Sequence, residues 1–248
     1  MSIELVDIHK SFGDKEVLKG FSLTIQDGQT TSILGASGSG KSVTLKHIIG
    51  LLKPDRGEVW VDGENVSRLD QASIYRIRRK VGFVFQFAAL FDSMTIADNV
   101  AMGLRRMEAF SDDEIRDRVE DCLERVDLAG YGDRHPAELS GGQRKRVGFA
   151  RAIATEPKYL LYDEPTTGLD PITKAVIDQL IMKMADDLGV TGVVITHDMD
   201  SAFKISDRIA MLHEGKNRIE GTPDEIRATD DPVVKGFIEG RPELLETV

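Results

Sequence analysis

The segment Gly35-Ala36-Ser37-Gly38-Ser39-Gly40-Lys41-Ser42 restricts the fold more than any other part of this chain. It follows the apolar run Thr30-Thr31-Ser32-Ile33-Leu34 and precedes a helix-forming stretch that begins near Lys41 and Val43. The glycines let consecutive backbone N–H groups curve inward around an anion, where β-carbons would obstruct it. The positive end of the following helix adds to that field. A lysine and a hydroxyl at the last two positions suit a polyphosphate with its divalent cation. A glycine-rich turn that happens to contain Lys-Ser is the plain alternative, and the flanking strand and helix argue against it.

The surrounding pattern is α/β. Residues 3–8 read as a strand, and Phe21, Leu23 and Ile25 alternate before an Asp27-Gly28 turn. Val59-Trp60-Val61 meets an Asp62-Gly63 hairpin signal. Small antiparallel strands therefore accompany the phosphate strand. Residues 81–85 read as a buried strand, after which the pattern becomes helical. Ser111 with Glu114, and Ser140 with Gln143, each form a capping box. The charged run 112–127 reads as the solvated face of one helix. Later, 159–163, 191–196 and 208–212 read as strands, while Asp170-Pro171 and Thr222-Pro223-Asp224-Glu225 read as helix starts. Apolar strands alternating with helices imply a mostly parallel core sheet covered on both sides.

Two carboxylates close the second strand group. Asp163, at the end of 159–163, can hold a Mg²⁺ shell directly or through water. Glu164 can orient or deprotonate an attacking water. Taken alone, the pair reads as a solvated acidic strand end; beside the phosphate loop, the metal and water roles prevail. Ser140-Gly141-Gly142-Gln143 is a bare, capped helix start whose N–H groups a large anion could approach. One phosphate cradle already exists at 35–42, so this segment is either a second cradle, completing another subunit's site, or an ordinary glycine-softened cap.

The chain of 248 residues has a formal net charge of -10, which argues against a general nucleic-acid binder. No apolar stretch is long enough for a membrane span, and the first residues, Met-Ser-Ile-Glu-Leu-Val-Asp, lack the pattern of a signal peptide. The single cysteine, Cys122, excludes an internal disulfide and fits a reducing compartment. It falls in register with Ile115, Val119 and Val126 as a small core residue.

Together these segments resemble the nucleotide-binding domains of ABC transporters over essentially the whole length. Residues 35–42 resemble Walker A, Leu139-Ser140-Gly141-Gly142-Gln143 the signature motif, and 160–164 Walker B with its glutamate. Gln86 falls at the Q-loop glutamine, Gly168-Leu169-Asp170 at the D-loop and His197 at the switch histidine. The resemblance implies a P-loop NTPase of ABC type, using ATP and Mg²⁺. It implies one cassette over 1–248, with core and antiparallel elements in 1–86 and 156–221. A helical subdomain would occupy about 87–155, and a C-terminal helix and tail about 222–248. Two copies would align head to tail, each ATP lying between Lys41 and Ser42 of one and Ser140 and Gly142 of the other. Gln86 would sense the γ-phosphate and Mg²⁺, with Ser42 and Asp163 as further metal ligands. His197 would hold the water and Glu164 in register, and Phe12 would stack on adenine. From the residues alone, Phe12 is equally a core residue, His197 a helix cap after Thr196, and Gln86 a surface loop side chain. Arg144-Lys145-Arg146 reads as a helix face that adds to an electropositive wall around the phosphates.

More narrowly, Gln86-Phe87-Ala88-Ala89-Leu90-Phe91-Asp92-Ser93-Met94 resembles the ATPases of lipid-trafficking importers of the Mla and Mce type, as do 170–173 and the tail 232–242. That implies a membrane permease dimer, a periplasmic lipid-binding protein and, in some systems, a small cytoplasmic regulatory subunit. The chain would then sit on the cytoplasmic side of the bacterial inner membrane. Core packing accounts for part of the apolar run 87–91; exposed, it would form a groove for a short permease helix. An ATPase for polar amino acids or other small solutes would share every catalytic residue, and a cell-division-type signalling ATPase remains a further alternative.

Overall fold

The computed structural model describes residues 3–241, so Pro242, the last residue of the tail 232–242, and residues 243–248 lie outside the described residues. The chain divides into two compact units, one formed by the described parts of 1–74 and 191–248, the other by 75–190.

In the first unit, β1 (Ile3–Phe12), β2 (Lys15–Ile25), β4 (Arg56–Val61) and β5 (Glu64–Asn65) form an antiparallel sheet in the order β2-β1-β4-β5. The Asp62-Gly63 hairpin is present. Both residues have positive φ, and Val61 pairs with Glu64 across the turn. A second group of strands is built around β3 (Thr30–Leu34). It pairs in parallel with β8 (Thr191–Thr196) and β9 (Arg208–His213), while β10 (Lys216–Gly221) runs antiparallel to β9. Every residue of β3 and β8 is buried, as expected for parallel strands covered on both faces.

Helix α1 (Lys41–Ile48) follows β3, and α7 (Met199–Ile205) follows β8. Two short helices, α8 (Pro223–Arg227) and α9 (Pro232–Glu239), close the chain. Leu34, Ala202, Ile209, Met211, Ile226, Val233 and Val234 form one buried cluster with Phe203 and Phe237 against it. The C-terminal helices are thereby fixed to the strands that position the phosphate loop. Thr222 and Glu225 cap α8 reciprocally, as their spacing predicts.

Helix α2 (Gln71–Arg79) carries the chain from one unit into the other. In the second unit, β6 (Val81–Val84) lies parallel to β7 (Tyr159–Asp163). The expected strand ends one residue early, where the ladder with β7 stops at the Val84–Tyr162 pair, and Phe85 is 40% exposed. The chain does not become helical directly after Gln86. It runs as a loop to Thr95, which caps α3 (Ile96–Arg105). Helices α4 (Asp112–Arg125), α5 (Gly141–Ile153) and α6 (Pro171–Leu188) complete the unit. Ser111 and Glu114 cap α4 as expected, and Ile115, Val119, Cys122 and Leu123 make its buried stripe. Loss of water around Cys122 pushes its thiol pKa up to about 11, which agrees with a structural core cysteine.

Candidate functional site

The first unit holds the phosphate loop. At Gly35 an added β-carbon would stand 2.5 Å from the Leu212 carbonyl oxygen and 2.9 Å from Ser39 Oγ, so no larger residue fits there. Gly40, with φ of 108°, is the N-cap of α1, and its missing β-carbon would meet Val17 at 2.7 Å. No side chain caps this helix start, which leaves its N–H groups facing the loop. Ala36, Ser37 and Gly38 are exposed, while Ser39, Ser42 and Val43 are half-buried. Lys41 is 5% exposed, and its ammonium donates to the carbonyls of Gly35 (2.8 Å) and Ala36 (3.1 Å). An uncapped helix start, a bent glycine loop and a buried cation fit a polyphosphate.

Phe12 ends β1 with 47% of its surface exposed, and the Lys10 ammonium lies 5.8 Å from its ring centroid. The core alternative for Phe12 is therefore excluded. His197 is exposed immediately after the buried Thr196. It does not cap α7. Asp198 does, accepting from Ser201 N at 3.1 Å, while Thr196 Oγ1 accepts from Asp198 N at 2.9 Å.

The second unit holds the remaining candidates. Asp163 is half-buried at the end of β7. Glu164 follows at 9% exposure and a φ of 48°, an uncommon backbone conformation for a side-chain-bearing residue. Its Oε2 accepts a hydrogen bond of 2.9 Å from Thr167 Oγ1. The hydroxyl of Ser42 and the carboxylate of Asp163 are hard oxygen donors of the kind Mg²⁺ takes alongside phosphate and water. Gln86 is half-buried at the head of the loop after β6.

The expected capping box starts α5. Ser140 Oγ accepts from Gln143 N (3.2 Å), and Gln143 Oε1 accepts from Ser140 N (2.9 Å). Ser140 and Gly141 are exposed, whereas Leu139 anchors the segment in the core at 4%. A β-carbon on Gly142 would meet Thr173 Cγ2 at 2.6 Å, so this glycine allows α5 and the start of α6 to approach. Asp170 caps α6, accepting from the N–H groups of Ile172 and Thr173 at 3.0 Å each and from Thr173 Oγ1 at 2.5 Å. The Thr173 hydroxyl and these amides hold its carboxyl below the usual carboxylate range.

The Arg144-Lys145-Arg146 run lies on α5, where Arg144 is exposed and Arg146 half-buried. All three side chains reach backbone carbonyls: Arg144 reaches Leu139 (2.7 Å), Lys145 reaches Pro165 (2.7 Å) and Thr167 (3.0 Å), and Arg146 reaches Val126 (3.0 Å). Lys145 is itself buried at 7%.

The loop after Gln86 is exposed only in part. Phe87 and Phe91 are exposed, Leu90 is half-buried and Ala88 is in the core. Ala88 and Ala89 both have positive φ, and Arg151 donates to both of their carbonyls. The fully buried Asn99 fastens Phe91. Neither Arg151 nor Asn99 was marked by any sequence motif. The groove in this region, about 400 Å³, is lined by Tyr75, Phe83, Phe85, Met102, Arg106 and Met107 among others, not by 87–91.

Residues 18–167 match the family model described as "ABC transporter". The chain is 40% identical over 241 residues to the probable ribonucleotide transport ATP-binding protein mkl of Mycobacterium tuberculosis, covering 97% of this chain and 67% of that protein. It is 42% identical over 242 residues to the sulfate/thiosulfate import ATP-binding protein CysA of Halalkalibacterium halodurans, covering 96% and 66%. The chain thus spans about two thirds of the length of these relatives. Among solved structures, it is similar to a dimeric post-hydrolysis state of the ATP-binding cassette MJ0796 bound to ADP and Pi, with TM-score 0.81 and 38% identity over 89% of this chain and 98% of that one. It is also similar to cbiO1 of Clostridium perfringens, part of the ABC transporter complex cbiONQ, with TM-score 0.84 and 32% identity over 99% and 98%. The mostly parallel P-loop architecture expected from the sequence is the architecture of these cassettes. The chain belongs to the ABC transporter family, as an ATP-binding, ATP-hydrolysing cassette that uses ATP and Mg²⁺.

Proposed function

We propose that this chain is one half of a head-to-tail ATP-sandwich dimer that powers a membrane permease. Residues 35–43 cradle the phosphates, Lys41 binds the β- and γ-phosphates, and Phe12 stacks on adenine. Ser42, Asp163 and Gln86 serve Mg²⁺, Glu164 activates the water, and His197 and Asp170 keep the assembled site in register. Ser140, Gly141, Gly142 and Gln143 complete the ATP of the second copy. One observation carries this reading. Besides the uncapped start of α1, the cassette presents a second exposed helix start at Ser140 and Gly141, which its own phosphate cradle does not require. A related cassette solved as a dimer bound to ADP and Pi adds support.

The test is a disulfide. Gly141 has nothing within 4 Å of an added β-carbon, so a cysteine fits there. Ser39→Cys and Gly141→Cys, in a Cys122→Ala background, should crosslink between chains on ATP binding in a Glu164→Gln protein. Crosslinking confined to single chains would sink the sandwich.

The cassette organisation over 1–248 and a place on the cytoplasmic side of the bacterial inner membrane belong to the same reading. No helix among the described residues is long and apolar enough to cross a membrane. The groove lined by Tyr75, Phe83, Phe85, Met102 and Met107, together with arginines that include Arg106, suits a short permease helix. For the cargo we favour lipid, moved with a periplasmic lipid-binding protein and a small regulatory subunit, on the wording of residues 86–94. A second reading, import of a small solute, has the 42% identity to CysA in its favour. Purification of the native membrane complex, with identification of partners and bound lipid, separates the two. A lipid-free complex with a solute-binding protein would favour the second.

A further inference from the structure

Lys145 is buried, and its ammonium donates to the carbonyls of Pro165 (2.7 Å) and Thr167 (3.0 Å), the residues directly after Glu164 and three beyond it. Thr167 in turn donates through Oγ1 to Glu164 Oε2. Two hydrogen bonds from one cation bracket a loop whose first residue, Glu164, has a positive φ of 48°. Such a conformation persists only where its surroundings over-determine it.

We propose that Lys145 is a positioning residue for Glu164, clamping the 165–167 loop so that the carboxylate and the start of α5 move as one body. This rests on the assignment of Glu164 as the residue that activates water. The clamp lies entirely within one unit, and Lys145 stands on the first turns of the helix that begins at Ser140 and Gly141. Displacement of that helix start by a bound phosphate is therefore passed through Lys145 to the carboxylate of the same chain. In the sandwich, the phosphate at Ser140 belongs to one ATP and Glu164 acts on the other, so the clamp couples the two sites. Burial lowers the lysine's pKa, and the charge of Glu164 works against that shift. A neutral donor of similar length keeps part of the clamp, whereas an apolar chain of equal length keeps none.

Four variants of the full chain test this: Lys145→Met, Lys145→Gln, Glu164→Gln and the double variant of Lys145→Met with Glu164→Gln. Lys145→Met should lower single-turnover hydrolysis by about tenfold or more, with ATP affinity changed less than about twofold, the pattern of lost transition-state positioning. Lys145→Gln should recover part of that loss. Adding Lys145→Met to Glu164→Gln should cost nothing further, because the group it positions is already gone. Hydrolysis by Lys145→Met near that of the unaltered chain would overturn the proposal. So would a loss that multiplies with that of Glu164→Gln, or one confined to ATP affinity and melting temperature. Normal turnover by Glu164→Gln alone would instead remove the Glu164 assignment, leaving a different result on record. If Lys145→Met does not fold, Lys145→Gln carries the same comparison.

Discussion

The side chain of Asn99 and the backbone of Phe91 are locked together in both directions. Asn99 Oδ1 accepts from Phe91 N–H at 2.8 Å, and Asn99 Nδ2 donates to the Phe91 carbonyl at 3.1 Å. The same amide nitrogen reaches the carbonyl of Thr95 at 2.9 Å. One fully buried side chain therefore shapes the loop that follows Gln86. Asn99→Ala removes these bonds and leaves a gap at a fully buried position, and should cost roughly 1–3 kcal/mol, read from urea unfolding. Asn99→Asp should be as damaging, since it removes the donors and buries a carboxylate. A midpoint unchanged in Asn99→Ala would mean that the loop is held elsewhere.

Gly142 and Thr173 make a paired prediction. The β-carbon of Gly142→Ala would fall 2.6 Å from Thr173 Cγ2, so that substitution should separate the starts of α5 and α6 and lower ATPase activity. Thr173→Ser removes the offending methyl but keeps the hydroxyl that donates to Asp170. The double substitution should therefore regain most of the activity, measured as steady-state phosphate release. A double variant no better than Gly142→Ala would assign the damage to lost anion contact instead of packing.

Cys122 should make stability fall at alkaline pH. Its thiol keeps its proton in the folded chain up to about 11, against 9.0 for an unperturbed thiol. Between these values the unfolded chain has released the proton and the folded chain has not, so rising pH favours unfolding. The full contribution is present below pH 9.0 and is lost through about 11, amounting to roughly 2–3 kcal/mol. Comparing urea midpoints of the unaltered chain and Cys122→Ala at pH 8 and pH 10.5 checks the sign. The alanine variant should lack this part of the alkaline loss.

Composite sites predict complementation. Lys41→Ala removes a charge-assisted phosphate contact, and Ser140→Arg fills the space proposed for the neighbour's γ-phosphate, so each chain alone should be inactive. Mixed, they should regain ATPase activity, because one site of the heterodimer combines intact Lys41 with intact Ser140. Glu164→Gln, by contrast, should bind ATP normally and slow turnover by about a hundredfold. A mixture as silent as its components would count against sites shared between chains.

Much of the architecture was legible because its determinants are local. Strand β3, the hairpin at Asp62-Gly63 and the caps at Ser111, Ser140, Asp170 and Thr222 were all evident in residue order. A capping hydroxyl bonds an amide three residues away, and alternation marks a strand within five residues. The phosphate loop was legible from its glycine spacing between a strand and a helix, although the contacts that exclude a β-carbon at Gly35 and Gly40 come from the distant Leu212 and Val17. Its environment was less so: neither the exposure of Phe12 nor Asp198 displacing His197 as the cap of α7 followed from spacing alone.

What only the tertiary structure decided is where the long side chains end. Lys145, Arg146 and Arg151 reach carbonyls between 19 and 63 residues away, and a run of Arg-Lys-Arg that reads as a charged face turns out to hold loops in place. Every residue carries a backbone carbonyl, so composition cannot mark which one a distant cation will find. The groove is likewise assembled from Tyr75, Phe83, Phe85, Met102 and Met107, while the apolar run 87–91 lies outside it. Residue order settled the chemistry available to this chain, and packing settled which residues hold that chemistry in place.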